Sequence, residues 1–223
     1  MTNLFSIFDP STSMKINLNW MSLLLGMMIT PSWYWMMSGR YLMMMMKMLN
    51  KMNNEFKMLI KLSINKGSTL MFISLFVLVM MNNSIGLYPY LFTSTSHLSV
   101  TLSIALPMWL SFMLMGWLKN TKHMFTHLVP MSTPNTLMPL MVCIETISNL
   151  IRPVTLSVRL TANMIAGHLI LTLLGNNMME MSFMMLPIMT LIQTTLMILE
   201  SMVAIIQGYV MATLSILYSS EVN

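Results

Sequence analysis

Three charged residues recur at intervals of seven in one long apolar stretch of the chain. Glu145, Arg152 and Arg159 fall on one helical face, because seven residues make two turns with a drift of only about 20°. The same face also carries uncharged polar side chains, at Ser148, Thr155 and Asn163. A charge at the middle of a bilayer costs about 2.5–3.5 kcal/mol. The spacing therefore predicts that this stripe meets polar partners or a water-filled path.

A second long apolar stretch repeats the pattern with acids and amides. Gln193, Glu200 and Gln207 are spaced by seven, and Glu221 lies on the same side. Two apolar helices that each carry a narrow polar stripe are typical of an ion path or of paired helices. Glu200 lies deep in its stretch, which favours the ion path, whereas Glu221 near the inner end also fits a solvated interfacial carboxylate.

The remaining polar residues of these stretches allow more than one interpretation. Arg152 lies near the inner end and fits a role in pairing the two helices. Glu145, also near the inner end, fits a solvated interfacial acid as well. Arg159 lies deep and keeps its charge, so it predicts a fixed positive field. His168 fits either a core histidine or a proton carrier that titrates near neutral pH. Asn163 and Gln207 could orient waters, hold Arg159 or join the helices; Glu180, in the loop between the stretches, fits a solvated side chain.

Other chemistries find little support in the sequence. His123 and His127 are four residues apart but lack a third ligand, so we predict no metal site. Cys143 is the single cysteine, which excludes a disulfide within the chain. No P-loop motif occurs, so we expect no nucleotide binding through that motif and no cofactor.

The composition excludes most classes of soluble protein. Only 8% of the residues are charged and 56% are hydrophobic, whereas a typical soluble domain has roughly 25% charged residues. An ordinary soluble enzyme, a nucleic-acid binder and a disordered chain are therefore excluded. The prediction is an all-α, polytopic membrane protein in a single membrane domain over residues 1–223.

Hydropathy divides the chain into about five membrane-embedded helices and one amphipathic surface helix. Each apolar segment reaches the ~20 residues that a span needs. The amphipathic segment gathers its Lys and Asn residues on one face, as a helix on a membrane surface does. The predicted elements are a span at 18–38, the surface helix at 41–65, spans at 68–88 and 97–118, and long helices at 137–174 and 182–218.

The last two helices are too long to cross the membrane upright. Residues 137–174 would extend about 57 Å at ~1.5 Å per residue, against a hydrocarbon core of about 30 Å. Either the helix breaks at Pro153 or it lies strongly tilted. The polar stripe keeps its register across Pro153, which favours an unbroken, tilted hairpin.

The distribution of basic residues orients the chain. Lys and Arg gather in 40–66 and 119–122, whereas the loops at 82–96 and 175–182 contain none. The positive-inside rule then predicts an N-terminus outside and a C-terminus inside. The 34 methionines fit either adaptable packing or a mitochondrial code that reads AUA as Met. We see no targeting signal, so we expect synthesis inside the organelle, with the matrix as the inside.

The central motif resembles a known family. Residues 144–168, IETISNLIRPVTLSVRLTANMIAGH, resemble subunit a of the F-type ATP synthases, most closely in the mitochondrial form. FSIFDP at 5–10, GLYPY at 86–90 and HLVP at 127–130 agree with it. The resemblance covers essentially the whole chain, and the RLTAN core is highly specific.

The resemblance implies a non-catalytic, proton-conducting stator subunit in the mitochondrial inner membrane. Its implied partners are a rotating c-subunit ring, other stator and membrane subunits and the lipid bilayer, with no nucleic acid. Arg159 matches the arginine that faces the ring carboxylate and prevents a short circuit. His168 and Glu200 match the inlet half-channel from the intermembrane space. The other matching residues are the acids of the matrix-side outlet and the polar residues flanking the arginine, namely Glu145, Glu221, Asn163 and Gln207.

Two other functions are compatible with intramembrane charges. A secondary ion-coupled transporter would use them to bind substrate, but such proteins usually carry an internal repeat, and we find none. A structural subunit of a respiratory complex would not need a deep arginine such as Arg159.

Overall fold

The protein is described here by a computed structural model covering residues 4–12, 17–30, 39–60, 67–129, 134, 136–178 and 181–222. Within these ranges the chain is helical and contains no strand. Short 3-10 turns occur at Leu4–Phe8, Leu18–Met21 and Ser94–Ser96. The α-helices are α1 (Ser22–Met28), α2 (Arg40–Leu59), α3 (Ser68–Gly86), α4 (Leu98–Lys119), α5 (Thr121–His127), α6 (Met138–Met178) and α7 (Leu186–Val222).

Among the described residues, four helices are long and apolar enough to cross a membrane: α3, α4, α6 and α7 up to Ser220. A shorter apolar helix covers Leu18–Met28. These helices confirm the predicted fold class, a polytopic all-α membrane protein. Of the predicted first span, residues 31–38 lie outside the described part of the chain, as do residues 61–65 of the predicted surface helix.

The helix α2 is amphipathic, as its sequence pattern indicates. Its lysines at Lys47, Lys51 and Lys57 are exposed, whereas Phe56 is fully buried. Phe56 packs against Phe72 and Phe76 of α3. One face of α2 is thereby fixed to the bundle, and the basic face is left to water or lipid headgroups.

The helix α6 is continuous across Pro153, as the register of the polar stripe predicts. It has 41 residues, which corresponds to about 62 Å at ~1.5 Å per residue. It continues through Gly175, four residues beyond the predicted end at 174. A single glycine costs a helix only about 1 kcal/mol, so it need not end one. The partner helix α7 has 37 residues.

The helix α3 lies at the centre of the bundle. One buried cluster joins α2, α3 and α7, and a second joins α3, α4, α6 and α7. Close packing of α3 on α7 depends on Gly208, where an added Cβ would lie 3.3 Å from the Cβ of Met80. The second cluster includes Leu156 and Leu160, so it fixes the rotation of α6 about its own axis.

Candidate functional site

Arg159 lies on the face of α6 that points away from the bundle. Leu156 and Leu160, on either side of it in sequence, are buried in the core, whereas Arg159 is exposed. Among the described residues its guanidinium makes no hydrogen bond or ion pair. It stands among exposed apolar side chains, including Val158 and Val154. A permanent charge in such a surface requires a partner other than the described residues.

Arg152, two turns earlier, has partners within the chain. Its Nη2 atom lies 3.7 Å from Oε1 of Glu145. Its guanidinium carbon lies 5.1 Å from the centre of the Tyr218 ring on α7, within the range of a cation–π contact. Arg152 therefore joins the N-terminal part of α6 to the C-terminal end of α7, in agreement with a pairing role.

Glu200 projects from α7 onto the bare backbone of Gly167 on α6. A Cβ atom at Gly167 would collide with Oε1 of Glu200 and would lie 2.7 Å from its carboxyl carbon. Neither carboxylate oxygen has a hydrogen-bond partner among the described residues. A buried polar group without a partner is costly, so the position of Glu200 favours bound water or a proton.

A cavity of about 210 Å³ adjoins Glu200 between α3, α6 and α7. It is large enough for several waters. Its polar lining includes Asn163 and Gln207. Both amides thus accompany Glu200, and neither is hydrogen-bonded to Arg159 within the described chain.

Asn83 completes this cavity from the central helix α3. Its side chain is 1% exposed, and its amide oxygen has no partner among the residues that the structure describes. Sequence reasoning missed both Asn83 and Gly167. The signals available were an Asn pair at the end of an apolar helix and a glycine next to His168. Neither signal indicates that the residue meets Glu200, because that contact joins separate helices.

His168 lines a second, larger cavity that adjoins the next part of α6. This cavity has a volume of about 540 Å³ and also contains Gln193. The His168 side chain interacts with the backbone of Gly86, and its Nε2 atom has no partner in the described ranges. His168 and Glu200 therefore belong to neighbouring cavities rather than to one hydrogen-bonded pair. The contact of Glu200 with Gly167, the residue before His168, brings the two regions together.

Two of the predicted acids, Glu221 and Glu180, lie partly or wholly outside the described part of the chain. The backbone of Glu221 lies in the last turn of α7, but its side chain lies outside the described part. Glu180 lies outside it altogether. Among the described residues no group of three or more His, Cys, Asp or Glu side chains could hold a metal ion.

Comparison with known proteins identifies relatives over the whole length of the chain. Residues 15–220 match the sequence model of the family described as ATP synthase A chain. The chain is 60% identical over 223 residues to "ATP synthase subunit a" of Drosophila melanogaster, with both chains covered completely. It is also 60% identical to the proteins of that name from Aedes aegypti and Anopheles gambiae, over 225 residues and again over the full length of both chains.

Proposed function

This chain belongs to the ATP synthase A chain family, and on that premise we propose that it is the proton-translocating stator subunit of the enzyme's membrane sector. As a member of this family, the chain is a membrane-sector subunit of an ATP synthase. A ring of c subunits lies beside α6 and α7 in this proposal, and two offset half-channels load and unload the ring. Bond formation in ATP belongs to other subunits.

The exposed guanidinium of Arg159 carries the proposal. Most of the exposed side chains next to it on α6 are apolar, with Thr155 as a polar exception, and no described residue neutralises it. A carboxylate on a neighbouring ring would supply the missing charge, and the apolar side chains around Arg159 would supply the contact surface. Exposed side chains of α7 extend this surface, including Ile198, Met202 and Ile205.

The inlet half-channel uses the two neighbouring cavities. A proton from the intermembrane space reaches the region of His168 first and then Glu200. From Glu200 it passes to a ring carboxylate, which becomes neutral and can enter lipid at little cost. Asn163, Gln207 and Asn83 line the cavity beside Glu200 and would hold the waters that carry the proton.

The outlet half-channel opens toward the matrix. Glu145 and Glu221 lie toward the inner ends of α6 and α7, and the ion pair of Glu145 with Arg152 orients the Glu145 carboxylate there. A ring carboxylate that has turned nearly full circle releases its proton there. Each charge moved across the membrane contributes about 2.3 kcal/mol per 100 mV, and this drives rotation.

Arg159 separates the two paths. Neither the cavity beside Glu200 nor the cavity beside His168 is lined by Arg159. A proton that tried to pass directly from inlet to outlet would meet a fixed positive charge, so it must travel on the ring. This arrangement couples proton flow to rotation, in the mitochondrial inner membrane with the N-terminus outside and the C-terminus in the matrix.

The contact with the ring is tested by crosslinking. The substitution Cys143→Ser removes the single native thiol, and Ala162→Cys then places one on the exposed face one turn beyond Arg159. We expect a disulfide with a cysteine on the outer helix of a c subunit in the assembled enzyme. The matched control is Ser157→Cys, at a position that is 0% exposed and faces the core. Equal crosslinking at both positions, or none at position 162, would contradict the proposed interface.

A further inference from the structure

The first described segment of the chain is fixed across the outer end of the bundle. The backbone carbonyl of Phe8 lies 3.0 Å from Nε2 of His97, at the start of α4. The side-chain amide of Asn19 donates to the backbone carbonyl of Asp9 at 3.2 Å. These contacts hold the segment Leu4–Phe8 and Asp9 in one place rather than leaving them as a free terminus.

The same segment reaches the histidine of the inlet path. The ring of Phe8 stands at 87° to the ring of His168, with 6.5 Å between their centres. His97 is itself anchored by aromatic contacts with Trp20 and Phe92, at 5.3 and 5.2 Å between ring centres. The segment therefore forms a wall next to His168 that is fixed to the start of α4.

This wall closes one side of the cavity of about 540 Å³ that contains His168. Ser6 and Asp9 come from the wall, Ser11 follows it in sequence, and Gln193 and Thr172 come from the long helices. The titratable side chains among its lining residues are Asp9, Tyr88, Tyr90 and His168. Asp9 is the one carboxylate in that lining, and it is exposed to the outside.

We propose that Leu4–Phe8 and Asp9 form the outer wall of the inlet half-channel, with Asp9 as its proton-collecting carboxylate. The inference rests on the proposed function, because it names a further residue of the same path. Asp9 takes a proton from the outer aqueous phase or a buffer acid and becomes neutral. It then gives that proton to cavity water and on toward His168, and returns to its charged form, so that no net charge accumulates.

A negative charge at the mouth of a cleft has a kinetic consequence. It concentrates cations locally and raises their capture rate by about 10–10³-fold. The effect is electrostatic, so it weakens as salt shortens the Debye length to about 3 Å at 1 M. Loss of the Asp9 carboxylate should therefore raise the proton concentration at which ATP synthesis is half-maximal. It should change the maximal rate little.

The test uses the whole ATP synthase in liposomes, with ATP synthesis measured against proton concentration on the inlet side. For Asp9→Asn we expect the half-maximal proton concentration to rise by about tenfold at low salt. The maximal rate at high proton concentration should stay close to that of the unaltered enzyme. High salt should reduce the difference, and Asp9→Glu should restore the original proton dependence.

The matched control is Glu55→Gln, which removes an exposed carboxylate from α2, away from the cavity. The inference would be overturned if Asp9→Asn left the half-maximal proton concentration unaltered. It would also be overturned if Asp9→Glu raised that concentration as much as Asp9→Asn does. Glu200→Gln is measured in parallel. If it blocks flux while Asp9→Asn has no effect, the inference fails and the proposed function stands; if Glu200→Gln has no effect, the proposed function itself fails.

Discussion

At the scale of single residues, the candidate site contains charged side chains that have no partner among the described residues. Arg159 is exposed on an apolar face, and Glu200 is half-buried with neither oxygen hydrogen-bonded among the described residues. Each of these groups is energetically costly in hydrocarbon, so its presence in a membrane helix indicates a function. Arg152, by contrast, has Glu145 and Tyr218 as partners and therefore fits a supporting role.

Replacement of Glu200 by Gln should stop proton uptake while leaving the complex assembled. The amide keeps the shape of the side chain and removes the group that accepts a proton. Loss of a group that transfers protons commonly lowers rates by about 10²–10⁴-fold. We expect proton flux through reconstituted enzyme to fall by about a hundredfold or more, with normal assembly on native gels. Unchanged flux in an intact complex would remove Glu200 from the path.

Replacement of Gly167 by Ala should impair the same path without removing any polar group. The new methyl group would collide with the carboxylate of Glu200 and displace it. A misplacement of about 1 Å can lower a rate up to about a hundredfold, and we expect flux to fall at least about threefold. Gly175→Ala is the control on the same helix, because nothing lies within 4 Å of a Cβ there. Equal flux in the two variants would show that contact at Gly167 does not position Glu200.

The residues of the polar stripes were predictable, whereas their neighbours across the bundle were not. Arg159 and Glu200 stand out because a charge in an apolar helix is visible in the sequence itself. Asn83 and Gly167 are ordinary residues in isolation. They become part of the site only because α3, α6 and α7 pack together with a particular rotation, and that rotation is set by core residues such as Leu156 and Leu160.

At the scale of helices, α6 is long, unbroken and anchored along one face. Its passage through Pro153 was predicted from the register of the polar stripe, and its extension through Gly175 was not. The 41 residues of α6 and the 37 of α7 both exceed the length that an upright span requires. The extra length of each helix would allow it to present polar groups at several membrane depths to the proposed ring.

We expect α6 and α7 to lie strongly tilted in the membrane. A helix of about 62 Å fits within a core of about 30 Å only at a tilt near 60°, unless its ends project into water. Oriented spin-label or infrared measurements on the enzyme in bilayers would give the tilt. The shorter α4, with 22 residues, provides an internal comparison and should lie closer to the membrane normal. Similar small angles for all three helices would contradict the tilted hairpin.

At the scale of the whole molecule, the proposal requires two proton paths that do not connect. The cavities that contain His168 and Glu200 lie on one side of Arg159 along the helices, and Glu145 lies on the other. A continuous water path would dissipate the proton gradient, whereas two offset paths joined by a rotating ring would convert it into torque. The central claim is therefore that the fixed charge of Arg159 bars direct passage.

The substitution Arg159→Lys tests this claim most directly. Lysine keeps a positive charge in water, but in a low-dielectric site it can lose its proton, and it lacks the planar fork that meets a carboxylate in two places. We expect an assembled enzyme whose gradient-driven ATP synthesis falls by at least about a hundredfold, the scale set by loss of a preorganised charge-stabilising group. Smaller neutral replacements should leak protons. Near-normal gradient-driven ATP synthesis by assembled Arg159→Lys enzyme would contradict the account.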